Sequence, residues 1–213
     1  MGISSPKSAV AVILAGGEGR RLGGVTKATV TVDGLTLLER VRAALAPQVG
    51  TIILSLGSHQ FDTPWADATG LPIVTDPIAG AGPLGGIAGA LVWCRAYAPE
   101  TSALISTPVD VPFLPADLVA RLMREDGVAV AESGGQRHYA ITAWPLAVAD
   151  DVLRAVAKGD VRIRDWQKKH PTRVVSWPMD PYDPFLNINT PEDLAAANDL
   201  APRAAAQSPR GFA

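Results

Sequence analysis

An apolar run at residues 9–14 passes directly into Ala15-Gly16-Gly17-Glu18-Gly19-Arg20-Arg21-Leu22-Gly23-Gly24-Val25-Thr26-Lys27. Glycine at 16, 17, 19, 23 and 24 frees the backbone to take positive φ and to bring N–H groups against phosphate oxygens. Arg20, Arg21 and Lys27 add fixed positive charge, and the combination suits a nucleoside triphosphate. Spacing excludes two commoner owners of such a loop. A dinucleotide fingerprint needs its third glycine where Leu22 stands, and segment 52–56 carries no carboxylate for a ribose. A Walker loop needs Gly-Lys followed at once by Ser or Thr, whereas Gly24 is followed by Val25, Thr26 and Lys27.

A second constellation is Ser106-Thr107-Pro108-Val109-Asp110-Val111-Pro112-Phe113-Leu114-Pro115, at the end of an apolar run over 103–107. Asp110, braced by prolines at the carboxyl end of a strand, is suited to magnesium, a hard cation commonly held by one or two carboxylates plus substrate phosphates. The alternative role of helix cap fits poorly, because the next helix is expected to open at Pro115. The third constellation runs from Asp76 through Gly80, Gly82-Pro83-Leu84-Gly85-Gly86 and Gly89 into a helix. Free N–H groups at that helix start would receive an anion or acceptor, while Gly85, Gly86 and Gly89 equally suit close helix packing.

These residues need elements to hold them. Continuous apolar runs predict strands at 9–14, 51–56, 71–75, 103–107, 128–131 and 140–144. Helical spacing predicts helices at 35–45, 84–97, 115–124, 147–157 and 191–200. Strands alternating with helices indicate a single-domain, three-layer, Rossmann-like α/β fold, a mainly parallel twisted sheet with helices on both faces. In parallel sheets of this kind, ligands bind outside the carboxyl ends of the strands, where all three constellations fall. Segment 134–184 is less regular and is expected to form a lobe on one side. The expected organisation is a flexible start at 1–8, the domain at 9–200 and a loose tail at 201–213.

With 213 residues, 47% hydrophobic and 19% charged, the chain can bury one substantial core. A formal net charge of -2 argues against coating nucleic acid, and no stretch of about 18 apolar residues argues for a membrane span, so a cytoplasmic protein is expected. Its single cysteine, Cys94, lies in a helical run and is read as a packed thiol.

Leu14-Ala15-Gly16-Gly17, Arg20-Arg21-Leu22-Gly23-Gly24, Lys27, Asp76, the Gly82–Gly86 turn, residues 108–115 and Phe185-Leu186-Asn187-Ile188-Asn189-Thr190-Pro191-Glu192-Asp193-Leu194 together resemble the molybdenum cofactor guanylyltransferases. The opening motif is shared by many nucleotidyltransferases; the Gly-Pro-Leu-Gly-Gly turn with the Asn-Ile-Asn-Thr-Pro-Glu-Asp-Leu close is far more specific. The resemblance spans residues 9–198. It implies transfer of GMP from GTP to the terminal phosphate of Mo-molybdopterin, with release of pyrophosphate. It also implies nucleotide contacts from Leu14, Ala15, Gly16, Gly17, Lys27, Ser55, Asp76, Gly82, Pro83, Leu84 and Asp110, with Asp110 binding Mg2+. Charge stabilisation would fall to Asp110, then Lys27, then Arg21. Transient complexes with a molybdenum-insertion protein and recipient molybdoenzymes are further expectations from the family.

Asn187 and Asn189 would lie on the pterin side, or would fix a turn before the helix at Pro191. His138 is read either as a pterin-side contact or as a surface histidine, because the proline that commonly follows this position in the family is Tyr139 here. Ser55 stands where the family often carries Asn, replacing an amide by a hydroxyl, and Val109 replaces a small residue or cysteine. Rival readings are a CTP-dependent molybdopterin cytidylyltransferase, a sugar-phosphate nucleotidyltransferase of the same fold, and a noncatalytic nucleotide-binding module.

Overall fold

A computed structural model describes residues 9–16, 26–57 and 63–207. Strand β1 (Ala9–Leu14) is buried on both faces: Ala9, Ala11 and Ile13 enter one core cluster, Val10 and Val12 the other. This is why its sequence is a continuous apolar run with no alternation. Lys27–Thr29 form one 3-10 turn, followed by a short hairpin of β2 (Thr31–Val32) and β3 (Leu35–Thr36). Its tip residues Asp33 and Gly34 both have positive φ, 46° and 77°, as a two-residue turn between right-twisted strands favours. Thr36 then caps α1 (Leu37–Leu45): its Oγ1 accepts the Glu39 N–H, and the Glu39 carboxylate accepts the Thr36 N–H.

The chain continues through β4 (Thr51–Ser55), α2 (Pro64–Asp67), β5 (Ile73–Val74), α3 (Gly82–Tyr97), β6 (Ala103–Pro108) and α4 (Leu118–Leu122). It then forms β7 (Val128–Ser133), β8 (Gln136–Pro145), α5 (Ala149–Ala157), α6 (Ile163–Lys169), β9 (Thr172–Trp177) and α7 (Pro191–Gln207). Seven strands make one sheet in the order β5-β4-β1-β6-β8-β7-β9. All neighbours are parallel except β8, which runs antiparallel to both β6 and β7. Helices α1 and α4 cover one face through Leu38, Val41, Leu45, Leu118 and Leu122. Helices α3, α5 and α6 cover the other through Leu84, Ile87, Leu91, Val152 and Trp166. Cys94 is fully buried there, and burial pushes its thiol up to about 12, so it is an inert packed side chain.

The three-layer α/β expectation holds. Several boundaries differ, each for a physical reason. Segment 134–184 is no separate lobe: β8 and β9 are members of the main sheet, and α5 and α6 pack on its face. Gly134 and Gly135, both at positive φ, make a tight turn that returns the chain as β8. The expected strand at 71–75 shrinks to Ile73–Val74 and the helix at 115–124 to Leu118–Leu122. In the other direction, α7 continues through Pro202 to Gln207, with Ala201 and Ala204 buried against Val32, Leu37 and Ile188. Residues 201–207 therefore belong to a packed helix rather than a loose tail. No helix among the described residues is long and apolar enough to cross a membrane.

Candidate nucleotide site

The carboxyl ends of β1, β4 and β6 lie side by side, and backbone bonds extend their register into the loops. Ala15 N–H donates to Ser55 O at 2.8 Å, and Val109 N–H donates to Leu14 O at 3.1 Å. Gly16 is pressed so closely on the β4 loop that a Cβ there would lie 2.8 Å from the Leu56 carbonyl. Gly57, at φ +68°, faces it, and Asp76 Oδ2 lies 4.0 Å from where a Gly57 Cβ would be. Leu14, Ala15, Gly16, Ser55 and Asp76 are thus brought together. Gly17 and Arg21, with Arg20, Gly19, Gly23 and Gly24, lie outside the described residues.

Lys27 joins this edge to Asp110 and Asn189. Its Nζ donates to Asp110 Oδ2 at 2.6 Å and to Asn189 Oδ1 at 2.5 Å. The two charged side chains are only 15% and 14% exposed, so their attraction is weakly screened. Asp110 Oδ1 is buried and has no hydrogen-bond partner among the described residues, although a carboxylate oxygen in that position should have one. No group of three or more His, Cys, Asp or Glu that could hold a metal stands together among the described residues, so a cation at Asp110 would meet at most one further such side chain there.

Asn189 is held on all sides. Its Nδ2 donates to Asn187 Oδ1 at 2.8 Å, and its backbone N–H, like that of Thr190, donates to Asp193 Oδ2 at 2.9 Å. Thr190 Oγ1 accepts the Asp193 N–H in return, so the Thr-Pro-Glu-Asp sequence is a reciprocal cap on α7. The Asn189 backbone bond, foremost among several, holds the Asp193 carboxyl below the usual carboxylate range. Between the two asparagines, Ile188 N–H donates to Asp110 O at 2.9 Å. Of the two readings of Asn187 and Asn189, the turn before α7 is what the geometry shows, and that turn also places the Asn189 amide oxygen on Lys27.

On the second loop, Gly85, Gly86 and Gly89 serve close packing. A Cβ would lie 2.9 Å from Asp76 Oδ2 at Gly85 and 2.5 Å from Ser55 Oγ at Gly86, and at Gly89 it would collide with Thr75 O. The expectation of several free N–H groups at the start of α3 is corrected. Pro83 has none, Leu84 N–H donates to Val161 O at 3.4 Å, and Gly85 N–H donates to Ala81 O at 3.1 Å. Val161, packed against Gly82, closes that end.

Burial pushes the Asp76 carboxyl above its ordinary range, and its Oδ1 is buried without a partner among the described residues. A carboxyl whose pKa is raised by folding stabilises the fold fully below the unfolded value near 3.8 and loses that contribution as pH climbs through the folded value. Asp76→Asn is thus expected to melt no lower than the parent at pH 7, and to lose part of the decline in melting temperature between pH 4 and 7, while binding nucleotide more weakly. Thermal melts across that range with parallel nucleotide titrations check it; a variant less stable than the parent at pH 7 refutes it.

His138 is half-buried on β8, away from the surface role considered for it. Its Nε2 lies 2.7 Å from Ser133 Oγ, and that hydroxyl donates to Asp183 Oδ1, also at 2.7 Å. The Ser133 hydroxyl has one proton, so His138 Nε2–H must be the donor of the first bond. Burial lowers the His138 pKa, opposed by Asp183 and Glu132, which keeps the ring neutral at pH 7. Residue types of a nucleophilic triad are present here in the wrong order: the serine proton points at the carboxylate, and the imidazole cannot take it. Neither Ser133 nor Asp183 had a sequence signal, since each lies in a stretch without motif spacing.

Comparison with known proteins follows this geometry. A family model described as a MobA-like NTP transferase domain matches residues 11–174. A molybdenum cofactor guanylyltransferase of Rhodopseudomonas palustris (strain BisB5) is 41% identical over 200 residues, covering 91% of this chain and 94% of its own length. One from Nitrobacter hamburgensis is 42% identical over 197 residues, covering 89% and 93%. Among solved structures, the molybdopterin-guanine dinucleotide biosynthesis protein A of Archaeoglobus fulgidus superposes with TM-score 0.68 at 24% identity, over 92% of this chain and 99% of that one. The 2-C-methyl-D-erythritol 4-phosphate cytidylyltransferase of Thermus thermophilus superposes with TM-score 0.64 at 20% identity, over 91% and 98%, and so shares the fold. A sheet whose β1, β5 and β6 ends lead into Gly16, Asp76 and Asp110, with Lys27 paired to Asp110, matched at about 41% identity over nearly the whole chain, places this protein in the MobA-like nucleotidyltransferases, in the molybdenum cofactor guanylyltransferase family.

Proposed function

We propose that this chain transfers GMP from GTP to the terminal phosphate of Mo-molybdopterin in the cytoplasm. A phosphate oxygen of the acceptor bonds to the α-phosphorus of GTP, the bond from that phosphorus to the bridging oxygen breaks, and pyrophosphate leaves with the electron pair. The nucleophile is already an anion, so no protein base is required. The obstacle is repulsion between anions and the charge that builds on pyrophosphate, which positioned cations relieve.

The observation that carries this reading is the Lys27 ammonium, clamped between Asp110 and Asn189 beyond the carboxyl end of β6. Lys27 sets a fixed positive charge against the phosphates, Asp76 holds the nucleotide from the second loop, and Asn187 and Asn189 stand on the acceptor side. Asp110 fits a resident Mg2+ through its Oδ1, unpartnered among the described residues: one or two carboxylates suit an ion that takes its other oxygens from water and phosphates. When bound, that ion supplies charge neutralisation at the phosphates. The insertion protein and the recipient enzymes would be transient partners, since the product must be handed on.

Guanine is favoured over cytosine by the guanylyltransferase relatives at 41% and 42% identity, whereas the fold alone makes no choice, since a cytidylyltransferase shares it at TM-score 0.64. The test is mass detection of product after incubation with Mg2+, Mo-molybdopterin and equal GTP and CTP. The guanine dinucleotide is expected. A cytosine dinucleotide would move the protein to the sister activity, and no dinucleotide from a nucleotide-binding preparation would refute the acceptor.

A further inference from the structure

The segment that carries Asn187 and Asn189 has its own anchor, at some remove from Lys27. Asp183 Oδ1 accepts both the Ser133 hydroxyl, at 2.7 Å, and the Phe185 backbone N–H, at 3.0 Å, so it opens an Asx-type turn leading into the segment. Phe185 is 1% exposed, its ring 4.9 Å from that of His138 and 5.3 Å from that of Trp177. The chain then runs through Ile188, fully buried and tied to Asp110 O, to Asn189 on Lys27. His138 thus touches the start of this segment twice, through Ser133 and through the Phe185 ring.

We infer that His138 is a positioning residue, which through Ser133 and Asp183 fixes the Phe185–Asn189 segment and hence the acceptor-side asparagines. The direction of the relay makes it specific: Nε2–H donates to Ser133 Oγ, whose own proton goes to Asp183, so the serine must stay hydroxyl-down on the carboxylate. Ser133 is 3% exposed, which shields both bonds from competition by water. Without the Nε2–H donor the hydroxyl loses its second constraint, the Asp183 turn loosens, and Asn187 wanders while Lys27 keeps its pair with Asp110. A loss confined to one substrate distinguishes this role from general support of the fold.

This inference rests on the acceptor-side reading of Asn187 and Asn189, so Asn187→Ala is measured as its reference. His138→Phe keeps a ring beside Phe185 but removes the donor, Ser133→Ala cuts the relay, and His138→Gln restores an N–H near the Nε2 position. The expected result is that His138→Phe and Ser133→Ala raise KM for Mo-molybdopterin about tenfold, as Asn187→Ala does, with KM for GTP and melting temperature little changed. His138→Gln is expected to recover most of that loss. If Asn187→Ala acts on GTP instead, the acceptor-side reading fails, while the relay stands provided the His138 and Ser133 variants follow it to GTP. A silent Asn187→Ala, variants that weaken both substrates together with a lowered melting temperature, or a His138→Gln no better than His138→Phe would each overturn the positioning role.

Discussion

Asp110→Asn is expected to lower turnover about 10²- to 10³-fold, some 3 to 4 kcal/mol of transition-state stabilisation. The substitution preserves shape and leaves the main-chain bond from Ile188 to Asp110 O in place, so the Phe185–Asn189 segment keeps its anchor. What it removes is the negative charge opposite Lys27 and the buried Oδ1 that has no partner among the described residues. An amide is a poor ligand for a hard cation, and a Lys27 ammonium released from its counter-charge no longer has a defined place. GTP affinity measured without divalent ion is expected to change little, because the proposed nucleotide contacts of Leu14, Ala15, Gly16 and Asp76 come from other loops. Steady-state kinetics at saturating Mg2+, with a thermal melt, checks this. Turnover within about threefold of the parent would remove Asp110 from the chemistry, and a collapse of folding would show that its role is structural.

How much of this was legible beforehand depends on how local each signal is. The nucleotide edge was readable because a continuous apolar run followed by glycines is a local pattern, and Asp110 because two prolines bracket it. The clamp on Lys27 was not, since its partners lie 83 and 162 residues away and no periodicity reports such a meeting. Strand direction was equally hidden: residues 140–144 read as a buried strand, but an apolar run covered on both faces carries no sign of running antiparallel. The α3 start looked open because its glycines are compatible with anion binding, and only the packing of Val161, far along the chain, closes it. The length of α7 was missed because Pro202 reads as a breaker, whereas its neighbours Ala201 and Ala204 bury a small apolar face. In each case tertiary packing overrode a correct local preference.

Lys27→Met tests the same clamp from the other side and is expected to be nearly as damaging, about 10²-fold in kcat/KM, with an added cost to stability. Removing the ammonium leaves the Asp110 carboxylate, 14% exposed, without its only described hydrogen-bond donor, and leaves Asn189 Oδ1 unpaired. Uncompensated groups of that kind cost about 1 to 3 kcal/mol. Because the deficit is one of positive charge at a carboxylate, excess Mg2+ is expected to restore part of the melting temperature in the variant and to do less for the parent, whose carboxylate is already paired. Lys27→Arg should recover little activity: one Nζ bonds both Asp110 and Asn189, and a planar guanidinium with a fixed fork cannot place a single nitrogen between them. Parental kcat/KM in Lys27→Arg would instead reduce the requirement at this position to positive charge alone. Asn189→Ala removes one arm and is expected to cost about tenfold by itself but little more in the Lys27→Met background, since the two changes delete a shared contact. Additive losses in that double-mutant cycle would mean that Asn189 acts independently of Lys27.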